Sequence, residues 1–480
     1  MSSATLPHAS RTVPAREGPT RQVARYLAHT TYEAVPEATR ETAKRLLLDG
    51  IGCLLAGTRG EPGRLAADAH AAMAGNGRGG SVNSGGPATI VINGSHAMAR
   101  DAAFVNGITL YSVGVNDIHK PSGSHPGGCV IPAVLATGEW QCSSGRDMLT
   151  AMIAGYDIMG RLGRAIIPSH RNRGFHPTGT FGAFGAAAAV ARLLALDDWR
   201  TASALGIAGS QAAGLKAFQS DGSLTMIFHA GRSAQNGVEA AVLAQQGFSG
   251  PHSVFEDRQG FLAATSDESR PDMLTEALGE RFEVDATTFR PYYGCTLTIT
   301  ASGATAQIMQ RRREANPEQI ARITVRTHPI VEEEVGDDNP QTLLAARLSM
   351  QFNIALVVCR GDVLVGDVDD TLLHEPRLRK LLPLIQFETD DSMPRYGSVI
   401  TVQFKDGSTE RAEMFDPKGD PQTPMSWDDI QTKFVKLVEP LGDRPSALEL
   451  VQMVRSLEHT DGPSLMARIA RFADPSRRRP

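Results

Sequence analysis

Three histidine-bearing segments hold residue types that could move a proton near neutral pH. His125 ends the polar part of VNDIHKPSGSHPGG, a loop that crowds Asn116, Asp117, His119, Lys120, Ser122 and Ser124 ahead of an apolar run. His176 lies in GFHPTGTFG, and His229 lies in IFHAGRSAQNG together with Arg232. Each segment is rich in Gly or Pro and abuts an Ala-rich helical run. Imidazole is the side chain whose ordinary pKa suits acid–base work at physiological pH. A helix opening near Gly128 would add free N–H groups and a positive dipole end, which suits a carboxylate. Taken singly, each histidine could equally cap or brace a helix start. Three such loops in one chain favour proton transfer.

Other motifs fail on context. Gly75-x-Gly77-x-x-Gly80 spells a dinucleotide fingerprint, but it follows an Ala-rich helical run and leads into SVNSGG. That fingerprint needs a strand before it and a helix after it, so the segment reads as a loop. Asn93-Gly94-Ser95 has only the spelling of a glycosylation acceptor. The 13 histidines include no pair at metal-ligand spacing. No metal and no cofactor are expected.

The elements that must position these loops follow from pattern. The 480 residues amount to about two or three domains' worth of chain, with 41% hydrophobic and 21% charged residues. The 47 glycines, with abundant alanine, suggest closely packed helices. A net charge of −5 and the lack of a basic stripe argue against nucleic acid as a partner. Five scattered cysteines form no CxxC pair, which fits a reducing compartment. No apolar run reaches membrane-spanning length, so a cytoplasmic protein without membrane contact is expected.

Residues 1–19 read as a flexible tail. Helical runs recur at 61–74, 96–110, 128–141, 146–167, 180–195, 200–215 and 232–247, with one short β-branched run at 88–94. The texture changes near 272. ARITVRTHPIV (321–331) alternates as a strand does, and SVITVQFKDGSTERAEM (398–414) reads as a hairpin turning at Asp406-Gly407. LSMQFNIALVVCRG (348–361) predicts a helix packed on that small sheet. The layout is a helical body over 20–272, an α+β insertion over 273–415, and a helical return over 416–480.

The three histidine loops, together with AKRLLLDGIGCLLAG and FRPYYGC, resemble the signature blocks of the MmgE/PrpD family in the family's order. That family includes 2-methylcitrate dehydratase, cis-aconitate decarboxylase and iminodisuccinate epimerase. The resemblance spans roughly 20–465. It implies a mainly α fold: a large discontinuous all-helical domain, a smaller α+β lid domain, a site in the cleft between them, and a homodimer. Catalytic histidines of the family match His125 and His176. The acidic first block survives here only in part, as Gly114-Val115-Asn116-Asp117-Ile118. A family lysine before the third-block histidine is replaced by Met226, and a basic residue that is lysine in the decarboxylases is Arg290, just before Tyr292.

These departures disfavour decarboxylation of cis-aconitate, because groups that would handle a highly charged tricarboxylate are missing. The expected chemistry is proton abstraction from a carbon next to a carboxylate, followed by β-elimination of water from a small di- or tricarboxylate. Asp117 or His125 would be the base and His176 the acid. Arg290 would grip a carboxylate bidentately, with Asn116, His119, Lys120, Tyr292 and His229 as further substrate contacts. Without a leaving group, re-protonation on the other face would give an epimerase instead. A decayed site that only binds carboxylates is the remaining alternative.

Overall fold

The computed structural model describes residues 17–74, 85–312, 316–361 and 370–474. Gly75–Gly80, most of the expected tail and the basic PSRRRP end lie outside the described residues. The first part of the chain builds α1 (Pro19–His29), α2 (Glu37–Gly57), α3 (Glu61–Met73) and α4 (Ala99–Tyr111). After the loop come α5 (Pro126–Trp140), α6 (Gly145–Ile166), the short α7 (Ser169–Asn172) and α8 (Pro177–Leu193). Then follow α9 (Asp198–Gln211), α10 (Thr225–Gln245) and the short α11 (Phe261–Thr265). Strands here are small pairs, β1 (Ala88–Ile90) with β2 (Ser95–Ala97) and β3 (Ile118–His119) with β4 (Thr287–Thr288).

Small side chains decide how this body packs. Every residue of α8 from Pro177 to Ala191 is buried, as befits a helix apolar all round. It runs between α6 and α10. Where α4 crosses α10, a Cβ on Gly107 would sit 2.8 Å from Gly231 Cα. Only paired glycines allow that approach, so the abundance of Gly and Ala is a packing device.

The chain beyond Ser266 stays on the helical body as far as β4. Buried Arg161 donates to the carbonyls of Glu276 (2.6 Å) and Arg281 (2.8 Å), and Asp157 accepts the Glu283 N–H at 2.7 Å. Asp157 and Arg161 of α6, themselves paired at 3.2 Å, thus hold structure. The α+β part then comprises α12 (Ile299–Arg311), β5 (Ile320–Thr327), α13 (Pro329–Val335), α14 (Leu343–Arg347) and α15 (Met350–Arg360). It continues through α16 (Asp370–Leu373), α17 (Pro376–Leu381), β6 (Ile385–Thr389), β7 (Ser398–Phe404) and β8 (Thr409–Met414). The sheet order is β6-β5-β7-β8, with β5 parallel to β6 and the rest antiparallel. Gly407 takes the left-handed φ of +86° that the β7–β8 turn requires.

The strand expected over 321–331 ends at Thr327. Pro329 has no N–H to give a ladder, and it opens α13 instead. Helices α18 (Trp427–Val438), α19 (Arg444–Arg455) and α20 (Gly462–Ala473) return to the body, α18 against α2 and α20 against α5. No helix among the described residues is long and apolar enough to cross a membrane.

Candidate active site

Two His-Pro steps create the site. His125 precedes Pro126 at the start of α5, and His176 precedes Pro177 at the start of α8. Proline at the first helical position tolerates its missing N–H and holds the preceding residue extended. The histidines accordingly have φ/ψ of −113°/84° and −96°/107°, and neither side chain makes a capping bond. They are thrown off their helices rather than folded back onto them. Both line one cavity, together with Arg290, Tyr111, Lys216, Arg171, Met226, Cys295, Arg347 and Tyr396.

Hydrogen bonding fixes what each imidazole can do. His125 Nδ1 lies 2.6 Å from the main-chain oxygen of Asp117. A carbonyl only accepts, so the neutral ring carries its proton on Nδ1 and keeps a lone pair on Nε2. Burial first, then Arg290 and Arg347, holds His125 well below the ordinary imidazole pKa. It rests as a neutral base. His176 Nδ1 lies 2.9 Å from His229 Nδ1, so one proton is shared between the two rings. Burial, His229, Arg171 and Lys216 lower His176, while burial alone lowers His229 to about 4.

The cations fall into two groups. Arg290 and Arg347 are 1% and 4% exposed, and neither forms an ion pair with a described residue. Arg290 donates to the main-chain and side-chain oxygens of Asn116 and, at 2.9 Å, to the Gly294 carbonyl. Of its five N–H groups, two remain for a ligand. Arg347 depresses the Arg290 pKa further after burial has done so, as two neighbouring guanidiniums must. Arg171 and Lys216 stand near His176. Each histidine therefore feels its own pair of cations.

Comparison with known proteins places the chain in a family. Residues 21–274 match the MmgE/PrpD N-terminal domain and residues 292–459 the MmgE/PrpD C-terminal domain. The chain belongs to the MmgE/PrpD family. It is 28% identical over 457 residues to the cis-aconitate decarboxylase-like protein oryM of Aspergillus oryzae, covering 88% of this chain and 91% of that protein. It is 27% identical over 391 residues to the cis-aconitate decarboxylase of Homo sapiens, covering 78% and 80%. Against the cis-aconitate decarboxylase of Aspergillus terreus it is 25% identical over 472 residues, covering 92% and 94%.

Several polar residues expected at the MmgE/PrpD site are placed elsewhere. Lys120 is not among the lining residues and pairs with Asp420 at 2.5 Å behind Tyr396, and Asp420 also accepts from Thr288. His119 is buried between Glu283 (3.1 Å) and Ser122 Oγ (2.9 Å). Asn116 is spent on Arg290. Tyr292 is not among the lining residues and packs beside Gly303. His229 stands behind His176 rather than at the cavity wall. Asp117 also lies behind the wall, its carboxylate raised to about 6 by burial.

The helix start read as a carboxylate cradle is already filled. The Gly127 N–H donates to both Asp117 carboxylate oxygens, at 3.2 and 3.1 Å, and the Gly128 N–H to the His125 carbonyl. A Cβ at Gly127 would lie 2.4 Å from Asp117 Oδ1, so glycine is what lets the carboxylate sit there. Lys433 of α18 reaches in to donate to the Val115 carbonyl at 2.7 Å, bracing the same loop.

Sequence reading missed Arg347, Arg171, Tyr111 and Tyr396. Arg347 left a trace as the one charged residue in the run LLAARLSMQFNIALVV, where burial without a purpose would be costly. Met226 and Lys216 both line the wall, so it carries an ammonium although Met226 stands where the resemblance implied a lysine.

Proposed function

We propose that this protein is a lyase acting on a small di- or tricarboxylate, with proton abstraction at a carbon next to a carboxylate as its defining step. His125 takes the proton through Nε2 while Arg290 and Arg347 hold the adjacent carboxylate and stabilise the enolate-like charge. The electron pair then forms the C=C bond, the β-carbon–oxygen bond breaks, and His176 protonates the departing hydroxide to give water. The observation that carries this reading is the His125 Nδ1 contact with the Asp117 carbonyl, which leaves a neutral base beside two buried cations that have no carboxylate at ion-pair distance among the described residues.

The relatives' names favour a second reading, loss of carbon dioxide from an unsaturated tricarboxylate. Lys216 supports it by placing an ammonium on the cavity wall. There the C–C bond breaks, its electron pair stays on carbon, and His176 delivers the proton. One assay separates the outcomes. Enoate absorbance rising from a 2-hydroxy di- or tricarboxylate supports dehydration. Carbon dioxide released from cis-aconitate with no such rise replaces it with decarboxylation. Solvent deuterium entering next to a carboxylate without unsaturated product replaces it with an epimerase.

A further inference from the structure

The two cation pairs differ in one respect. Arg290 and Arg347 have no carboxylate at ion-pair distance among the described residues, whereas Arg171 and Lys216 share one. Glu334, in α13, places Oε2 2.5 Å from Arg171 Nη2 and Oε1 3.9 Å from Lys216 Nζ. The same carboxylate is 3.3 Å from Arg395 Nη2. Glu334 and Arg395 fall within the C-terminal domain match and Arg171 and Lys216 within the N-terminal one. Neither Glu334 nor Arg395 lines the cavity, although the two residues that Glu334 holds do.

We propose that Glu334 is a specificity-determining residue, a resident carboxylate that competes with the ligand's second carboxylate for Arg171 and Lys216. This rests on the carboxylate-lyase reading and adds to it that the substrate carries a carboxylate on each side of the reacting carbon. One anionic group meets Arg290 and Arg347. The other must draw Arg171 and Lys216 away from Glu334, so its binding strength is set by how firmly Glu334 holds them. Arg395 is the counterweight. By engaging the same carboxylate it weakens the hold of Glu334 on the cavity cations.

Residues that touch no ligand should then act with opposite signs. The test measures Kd for succinate and for propionate by ligand-observed NMR, using the full chain and inert ligands so that turnover is not needed. Glu334→Gln should tighten succinate about tenfold and move propionate far less, because one unit of competing charge is removed from one end only. Arg395→Gln should weaken succinate. Glu334→Asp, which keeps the charge, should stay near the parent value. Weaker succinate binding in Glu334→Gln, equal shifts for both ligands, or both charge-removing variants moving the same way would overturn the proposal. Were Glu334→Gln not to fold, the sign of Arg395→Gln decides. Failure of the lyase reading alone would show as binding shifts intact without turnover.

Discussion

The Nδ1 atoms of His176 and His229 face each other at 2.9 Å, so neither ring can be understood alone. When His229 holds the shared proton, the proton of neutral His176 sits on Nε2, where it can be given to a leaving group. His229 is a positioning residue in this account. His229→Ala should lower kcat about a hundredfold while leaving KM for a polycarboxylate within about twofold of the parent. Steady-state kinetics check this, and a change confined to KM would assign His229 to binding instead.

The electrostatics of His125 set the acid limb of the pH profile. The base must be neutral, and burial with Arg290 and Arg347 holds its pKa well below 6.5. Activity as kcat/KM should therefore persist as pH falls through 6.5 and drop only at lower pH. Arg347→Gln removes one depressing charge, so its acid limb should move upward, toward the ordinary imidazole range. A limb that stays in place would separate Arg347 from His125.

Ligand binding should take up protons. The second carboxylate of a polycarboxylate brings negative charge to the His176–His229 pair, which favours its charged form and raises pKa values that burial depresses. Calorimetry near pH 6 in buffers of differing ionisation enthalpy should report net uptake on binding tricarballylate. Release, or no exchange, would contradict the two-ended electrostatic picture.

Lys120 separates structure from catalysis. It pairs with Asp420, which is 2% exposed, outside the cavity wall. Lys120→Met should leave KM unchanged and cost about 2 kcal/mol, a Tm loss of a few degrees, by stranding a buried carboxylate. Scanning calorimetry and a KM measurement on the same preparation decide it.

What the sequence revealed about this site follows from how local each feature is. The His-Pro steps at 125 and 176 are readable because proline imposes the backbone on its neighbour and so fixes where the imidazole leaves the helix. The β7–β8 hairpin was legible in the same way, through Asp406-Gly407. Polar density in the first loop was not enough to tell His119 and Lys120, which turn toward Glu283 and Asp420, from His125, which does not. Those partners lie 164 and 300 positions away. The cradle expected near Gly128 failed for a related reason, since nothing in the spacing showed that Asp117 would occupy the neighbouring Gly127 N–H. Arg347 and Arg171 reach the cavity only through long-range packing.

In the proposed reaction His125 takes a proton from a carbon next to a carboxylate only in concert with His176, which protonates the leaving hydroxide. The direct measurement is NMR of a panel of 2-hydroxy di- and tricarboxylates, and their unsaturated counterparts, recovered after incubation with the protein in D2O. Deuterium is expected at that carbon in at least one compound, lost in both His125→Asn and His176→Asn while their melting temperatures hold. Exchange in none of them, or exchange undiminished in either variant, would contradict it.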